Sequence, residues 1–274
     1  MNAGAVLDSK IENRIYTLNG KGRSLDILGD NLFVCGPMDC QIVRIDLRTG
    51  KQNCIAAPYL QDAHGLRVYN NYIWVADIKT HQIYKIDAKG NLIWSFGERG
   101  VSGCDKTHLN RPTDIAVDND GKIYIADGYG NSRIICIDSK GKYLFEWGSF
   151  GDKQGQFNHP HNLIIVDQKV FVADRDNNRI QVFSLTGEFI AEWKQSGKVF
   201  GLDVYKNRLY MSIVSDISNS IVITDLSGNK LAEFGETGKN LMQFKTPHGL
   251  SVDKNNIYVA DMENQRVQII KRKL

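Results

Sequence analysis

Three of the six histidines in this 274-residue chain occupy the same position of a repeated segment. His64, His161 and His248 each begin a copy, in HGLRVYNNYIWVAD, HNLIIVDQKVFVAD and HGLSVDKNNIYVAD. Imidazole nitrogens bind zinc, copper, iron and nickel, and three histidines with an open fourth position are typical of catalytic zinc centres. The pattern therefore predicts a three-histidine metal site, although the spacing alone does not choose the element. The alternative is that the imidazoles line a channel and bond to backbone or water.

The same segment recurs with other first residues. Copies that begin at Thr113 and Phe200 have the same arrangement of two apolar runs around a polar turn, and a weaker copy begins at Arg23. The six copies begin at residues 23, 64, 113, 161, 200 and 248. Their spacing, roughly 40 to 50 residues, is that of propeller blades.

Each copy has the pattern of four antiparallel strands. Two alternating apolar runs flank a polar turn such as Asp118-Asn119-Asp120-Gly121, and two further strands follow, as in 82–87 and 92–97. We predict an all-β, six-bladed propeller that forms a single domain over residues 1–274. The sixth copy supplies only three strands, so residues 13–20 are predicted to pair with it and close the ring.

In such a ring the first residue of each copy lies at the central axis. Alternate blades are related by nearly threefold geometry, so the three imidazoles are expected to converge on one point. No chemical role is predicted for the remaining histidines, which are His81, His108 and His159. A recurring aspartate is expected to accept backbone amides of the turn after the second strand, at Asp77, Asp127, Asp174 and Asp261.

The composition argues against several classes of protein. The net charge is only +3, with the signs interspersed, so no nucleic-acid partner is expected. Five cysteines without C-x-x-C spacing indicate neither a disulfide framework nor a cysteine zinc site, and they favour a reducing compartment. The N-terminus has no leader pattern, and no apolar run is long enough to span a bilayer. We expect a cytoplasmic monomer without a membrane partner, unless a secretory leader has been removed.

Blades two to four carry a more specific pattern than the repeat itself. It covers residues 63–66, 111–134 and 160–181, including Ala126-Asp127-Gly128-Tyr129 and Ala173-Asp174-Arg175-Asp176, and Pro247-His248 adds a match in blade six. In these stretches the chain resembles the peptidyl-α-hydroxyglycine α-amidating lyases, which are propellers with NHL-type repeats. Blades one and five match only as generic repeats.

The resemblance implies roles for particular residues. His64, His161 and His248 would bind zinc, Tyr129 would be the general base or its partner, and Arg175 would be a cation near the substrate. Zinc lowers the pKa of a bound hydroxyl, and a tyrosinate could accept its proton if a cation depresses the tyrosine pKa. Arg175 could instead bind the substrate carboxylate. Without the resemblance, Tyr129 could simply cover a blade edge.

The chain departs from the family at several positions. The family's arginine in the post-strand loop of blade one is absent from residues 35–40, and Arg23 is predicted to replace it. Gly249 stands where the family has an aspartate associated with structural calcium, so calcium is not predicted. The cysteines of the two family disulfides are replaced in pairs, by Asn110 and Gly130 and by Phe171 and Val182.

The expected function is a zinc-dependent lyase that cleaves an α-hydroxyglycine-type carbinolamide to an amide and glyoxylate, or a related reaction at the same centre. Its partner would be a small molecule or a peptide C-terminus. The alternative is a non-catalytic NHL propeller that binds a protein, peptide or RNA on one face.

Overall fold

The structure is a computed structural model that describes residues 13–36 and 39–272. In these ranges the alternating apolar runs form strands. The first strand is β1 (Arg14–Thr17). Blade 1 follows, with β2 (Ser24–Leu28), β3 (Asn31–Cys35), β4 (Ile42–Asp46) and β5 (Gln52–Cys54). Blade 2 consists of β6 (Ala63–Tyr69), β7 (Tyr72–Asp77), β8 (Gln82–Ile86) and β9 (Leu92–Phe96). Blade 3 consists of β10 (Asp114–Val117), β11 (Ile123–Asp127), β12 (Arg133–Ile137) and β13 (Tyr143–Trp147).

The second half repeats this plan. Blade 4 consists of β14 (Pro160–Val166), β15 (Lys169–Asp174), β16 (Arg179–Ser184) and β17 (Phe189–Lys194). Blade 5 consists of β18 (Lys198–Tyr205), β19 (Arg208–Val214), β20 (Asn219–Asp225) and β21 (Lys230–Phe234). A short parallel pair, β22 (Glu236–Thr237) and β23 (Gln243–Phe244), precedes blade 6, whose strands are β24 (Pro247–Val252), β25 (Asn256–Asp261) and β26 (Arg266–Lys271). Two single-turn 3₁₀ helices follow β15 and β25, at Arg175–Asn177 and Met262–Asn264.

Every blade is a four-stranded antiparallel sheet, and the sixth is completed by the start of the chain. Its strand order is β1-β26-β25-β24, with Arg14 opposite Ile269 and Thr17 opposite Arg266. The prediction of an all-β, six-bladed propeller closed by the N-terminal strand is therefore confirmed. Because β1 covers the outer edge of β26, the last blade has no open edge on that strand.

The core lies between the blades. One buried apolar cluster occupies each of the six junctions between neighbouring blades, including the junction of blade 6 with blade 1. In β15, Val170 and Val172 face blade 3, whereas Phe171 and Ala173 face blade 5. Successive side chains on a strand point to opposite faces, so a strand between two blades must be apolar at almost every position. This requirement explains the continuous apolar runs of the second strands.

The recurring aspartates fix the loops that lead to the axis. Asp174 accepts the backbone N–H of Asn158 at 2.7 Å, and Asp261 accepts that of Lys245 at 2.9 Å. Both carboxylates are buried and also bind an arginine of the next strand, Arg179 at 2.7 Å and Arg266 at 2.9 Å. These backbone bonds go to the loop that enters the same blade. Bonds to the turn after the strand, as predicted, are made by Asp77, which accepts the N–H groups of Lys79 and Thr80.

The cysteines require a correction. Cys40 and Cys54 form a disulfide, with their Cα atoms 5.7 Å apart. The antiparallel pairing of β4 with β5 brings these residues together although their spacing matches no motif. Within the described part of the chain Cys35, Cys104 and Cys136 are free. The expected reducing compartment rested on the absence of disulfides, and this pair removes that support.

The replaced family disulfides lie at close contacts. Phe171 and Val182 are directly opposite each other on β15 and β16. Gly130 packs so closely on Asn110 that an added Cβ would lie 2.1 Å from the amide carbon. At both positions the side chains or backbone are therefore in close contact without a covalent bond.

Candidate metal centre

The innermost strands β2, β6, β10, β14, β18 and β24 contact one another in a ring around the axis. Each axial histidine is the extra residue of a β-bulge near the start of such a strand. The pairing shifts between Ala63 and Gly65 and likewise at the other two histidines, so that none of the three has a residue opposite it. A bulge turns a side chain out of the regular alternation. Here it directs the imidazoles toward the axis.

The three imidazoles form a compact, buried triangle. The ring centroids of His64, His161 and His248 are 4.8 to 5.0 Å apart, and one ligand nitrogen from each lies within 4.8 Å of the others. Their exposed fractions are only 2 to 5%. The ring of axial residues thus brings together side chains that are far apart in the sequence.

Backbone hydrogen bonds orient every imidazole. Nδ1 of each histidine bonds a carbonyl oxygen of the next blade: His64 to Thr113 at 2.8 Å, His161 to Phe200 at 2.7 Å and His248 to Arg23 at 2.9 Å. A carbonyl oxygen only accepts, so Nδ1 carries the proton and Nε2 presents a lone pair. Such an outer bond is the usual partner of a metal-binding histidine.

Glycines allow this close approach. A Cβ on Gly65 would lie 2.4 Å from the Thr113 carbonyl oxygen, and a Cβ on Gly249 would lie 2.5 Å from that of Arg23. These oxygens are the acceptors for His64 and His248. The His-Gly sequence therefore serves the site, and the backbone has no room for an aspartate at position 249.

Burial keeps the imidazoles neutral. It lowers the pKa of His64 and of His161 well below the ordinary value, and the positive charge that His248 would carry acts in the same direction. Burial likewise lowers the pKa of His248 to about 3. Neutral imidazole is the form that binds a metal ion.

Tyr129, in the loop after β11, reaches into the triangle. Its hydroxyl lies 2.9 Å from Nε2 of His64 and 3.1 Å from Nε2 of His161. The phenol has one proton to share between two acceptor nitrogens. Burial raises its pKa, although the Arg175 guanidinium opposes that effect. The tyrosine therefore carries its proton when no metal is bound.

Arg175 is held in a cluster beside Tyr129. Nη1 donates to the Tyr129 hydroxyl oxygen at 3.1 Å, while Nε and Nη2 each donate to the Asp176 carboxylate at 3.1 Å. His159 bonds the same carboxylate and stacks edge-on against the tyrosine ring, with centroids 5.6 Å apart. Lys198 also binds Asp176, at 3.0 Å. Arg175 is thereby aimed at the phenol oxygen.

Arg23, which is predicted to replace the missing family arginine, lies in an ion pair. Its Nη1 forms an ion pair with the Asp62 carboxylate and lies 3.4 Å from the Ala63 carbonyl oxygen. Its backbone carbonyl supports His248. The residue thus belongs to the axial ring, but its charge is already paired.

A metal ion with three nitrogen ligands fits these residues. Tyr129 can donate to one of its two acceptor nitrogens, and Nε2 of His248 has no hydrogen-bond partner among the described residues. Nitrogen ligands lie about 2.0–2.1 Å from zinc, so the three imidazoles would have to move closer together for one ion to contact all three. Three imidazole nitrogens suit zinc and also copper, iron and nickel.

No role was predicted for His159, Asp176 or the partly buried Arg67. The sequence could have indicated a role for two of them, because Asp176 follows Arg175 and His159 lies two residues before His161. Deeper in the channel Arg67 donates to Asp114 at 2.9 Å, to Asn162 at 2.7 Å and to a blade-5 carbonyl at 3.2 Å. This one arginine thereby connects blades 2 to 5 below the triangle. The sequence of a single repeat could not predict these contacts, because each partner lies in another blade.

Comparisons with known proteins agree with this architecture. Residues 109–137 and 244–270 match the family model described as NHL repeat. Among solved structures, a catalytically inactive variant of virginiamycin B lyase from Staphylococcus aureus, with quinupristin, superposes with a TM-score of 0.67. The superposition covers 96% of this chain and 100% of that one, at 14% identity, so this likeness shows the fold alone. In the described ranges no helix is long and apolar enough to cross a membrane.

Two relatives carry the more specific similarity. A probable peptidyl-alpha-hydroxyglycine alpha-amidating lyase of Caenorhabditis elegans is 32% identical over 223 residues, 74% of this chain and 62% of that protein. Peptidylglycine alpha-amidating monooxygenase of Rattus norvegicus is 35% identical over 214 residues, 74% of this chain and 20% of that protein. The chain thus spans only part of each relative. It is a six-bladed NHL-repeat propeller homologous to these two proteins over most of its length, with three buried histidines at its axis.

Proposed function

We propose that this protein is a zinc-dependent lyase that cleaves the N–C bond of an α-hydroxyglycine-type carbinolamide. The observation that carries the proposal is the convergence of three unprotonated Nε2 atoms with the Tyr129 hydroxyl at one buried point. The homology to amidating-lyase proteins supports the choice of reaction. Zinc is the proposed metal because three neutral imidazoles with an open fourth position suit it.

The proposed reaction is a proton transfer coupled to bond cleavage. A zinc ion bound by the three histidines would polarise the substrate hydroxyl and place a positive charge beside Tyr129. The hydroxyl loses its proton, the C–N bond breaks, and the amide nitrogen gains a proton. R–CO–NH–CH(OH)–COO⁻ thus becomes R–CO–NH₂ and glyoxylate. Tyr129 moves this proton because its oxygen adjoins two of the metal-binding nitrogens.

Arg175 supports the proton transfer by stabilising the phenolate. Its guanidinium donates to the phenol oxygen, and its charge opposes the rise in the Tyr129 pKa that burial causes. Asp176 accepts two hydrogen bonds from the guanidinium and holds it in place, and His159 in turn donates to Asp176. Arg175 is therefore proposed as a residue that tunes Tyr129.

The test is glyoxylate release from α-hydroxyhippurate by the purified, zinc-loaded protein. Tyr129→Phe should lower kcat by roughly 10²- to 10⁴-fold, the usual contribution of a general acid–base group, and retain zinc. His108→Ala is the matched control, since His108 bonds Asp105 and Glu98 away from the axis and its loss should leave kcat unchanged. A zinc-loaded wild-type protein that releases no glyoxylate would refute the proposed reaction. A protein that also binds no metal would indicate a non-catalytic propeller.

A further inference from the structure

Several cations surround Tyr129, and most of them are already paired. Arg175 uses Nε and Nη2 on Asp176, which also binds Lys198. Arg23 is paired with Asp62. The Nε–Nη2 edge with which Arg175 could bind a carboxylate in two places is thus occupied by a carboxylate of the protein itself.

Arg111 differs from these residues. Its guanidinium carbon lies 5.2 Å from the centroid of the Tyr129 ring, the same distance as that of Arg175. The residue is exposed. Throughout the described ranges its guanidinium takes part in no salt bridge and no hydrogen bond, so its donors are available.

The backbone presents this arginine in a fixed way. Arg111 has a φ of 60°, a conformation that is uncommon for residues other than glycine. Its N–H donates to Nδ1 of His81 at 3.0 Å, and its carbonyl accepts the N–H of Tyr129 at 3.3 Å. Uncommon backbone conformations are often found at binding sites. Arg111 and Tyr129 are thus held together by the backbone as well as by the ring contact.

We propose that Arg111 binds the carboxylate of the substrate and determines the preference of the site for carboxylate-bearing compounds. This inference rests on the proposed lyase function and deepens it, because the carboxylate becomes that of glyoxylate. A guanidinium with free donors recognises a carboxylate by paired hydrogen bonds. Arg175 then remains on the phenol oxygen, and the two arginines have separate tasks.

The experiment compares binding of hippurate and of its neutral amide, hippuramide, by isothermal titration calorimetry. Hippurate lacks the reactive hydroxyl, so binding is measured without turnover. Wild-type protein should bind hippurate more tightly than hippuramide. Arg111→Gln should weaken hippurate binding by about tenfold to a hundredfold, the effect of losing a charged hydrogen bond, and leave hippuramide binding unchanged. Arg111→Lys should recover part of the loss.

The control is Arg208→Gln, which removes another exposed arginine, at the start of β19. It should bind both compounds as the wild type does. Equal hippurate affinity of Arg111→Gln and wild type, or no preference of the wild type for hippurate, would overturn the inference. Glyoxylate release by the same wild-type protein is measured in parallel. Failure of that reaction alone would refute the lyase function and leave the carboxylate site standing.

Discussion

The chemistry of the centre is set by which nitrogen of each imidazole carries the proton. Carbonyl acceptors on the next blade hold the proton on Nδ1, and Nε2 is left to face the axis. Burial then disfavours the imidazolium form, as the lowered pKa values of all three histidines show. Burial raises the pKa of Tyr129 instead of lowering it, because the charged form of a phenol is the deprotonated one. Because the three imidazoles and the phenol are all neutral, no positive charge on them opposes the binding of a metal cation.

This protonation state predicts metal binding that depends little on pH. Histidines with ordinary pKa values would be protonated below about pH 6.5 and would release metal. With the folded-state pKa of His248 at about 3, and those of the other two also lowered, proton competition begins only at more acidic pH. Between about pH 7.5 and about pH 5.5 the zinc Kd should change by less than roughly tenfold, against roughly a thousandfold for three ordinary histidines.

The measurement is competition with a chelator whose own proton binding is known. Circular dichroism at each pH would confirm that the protein stays folded. A Kd that rises by hundreds of times over this range would show that the imidazoles titrate as exposed ones do.

At the scale of the strands, two devices position the site. Bulges at the starts of β6, β14 and β24 turn the histidines inward. Glycines after two of them let the neighbouring carbonyl approach, as at Gly65 and Gly249. The buried aspartates of blades 2, 4 and 6 hold the loops that enter these strands. Each imidazole therefore depends on the blade that follows it as well as on its own.

Gly249→Ala tests this dependence. The added Cβ would lie 2.5 Å from the Arg23 carbonyl oxygen, so the bond from His248 Nδ1 must lengthen or break. Loss of an outer bond of this kind costs about tenfold to a hundredfold in metal affinity. Zinc titration of the variant should show that loss while far-UV circular dichroism stays unchanged. An unaltered affinity would show that the backbone bond does not support His248.

The ring as a whole explains why histidines from alternate blades meet. Six apolar clusters join the blades in a closed circle, and β1 completes the last sheet by pairing the start of the chain with its last strand. Arg67 adds a polar link below the triangle, with Asp114 and Asn162 as its partners. Burial raises the pKa of the neighbouring Asp203 to about 6. The interior of the ring is therefore polar and charged along the axis although its blades are apolar.

The repeat made the ring and its axis predictable. Identical positions in successive blades must lie around one axis, so the spacing of the copies alone places their first residues there. The disulfide between Cys40 and Cys54 and the pairing of Arg23 with Asp62 could not be placed in this way, because both depend on loop paths that the repeat does not fix. The same holds for Arg111, whose contact with Tyr129 joins two loops of blade 3.

Metal analysis of the purified protein shows whether the three axial histidines form one metal site. Purified protein loaded with zinc and freed of excess metal should contain about one zinc ion per chain. The variant in which His64, His161 and His248 are all replaced by alanine should contain essentially none, whereas His108→Ala should match the wild type. Zinc retained by the triple variant, or absent from a folded wild-type protein, would show that the three histidines do not form a zinc site.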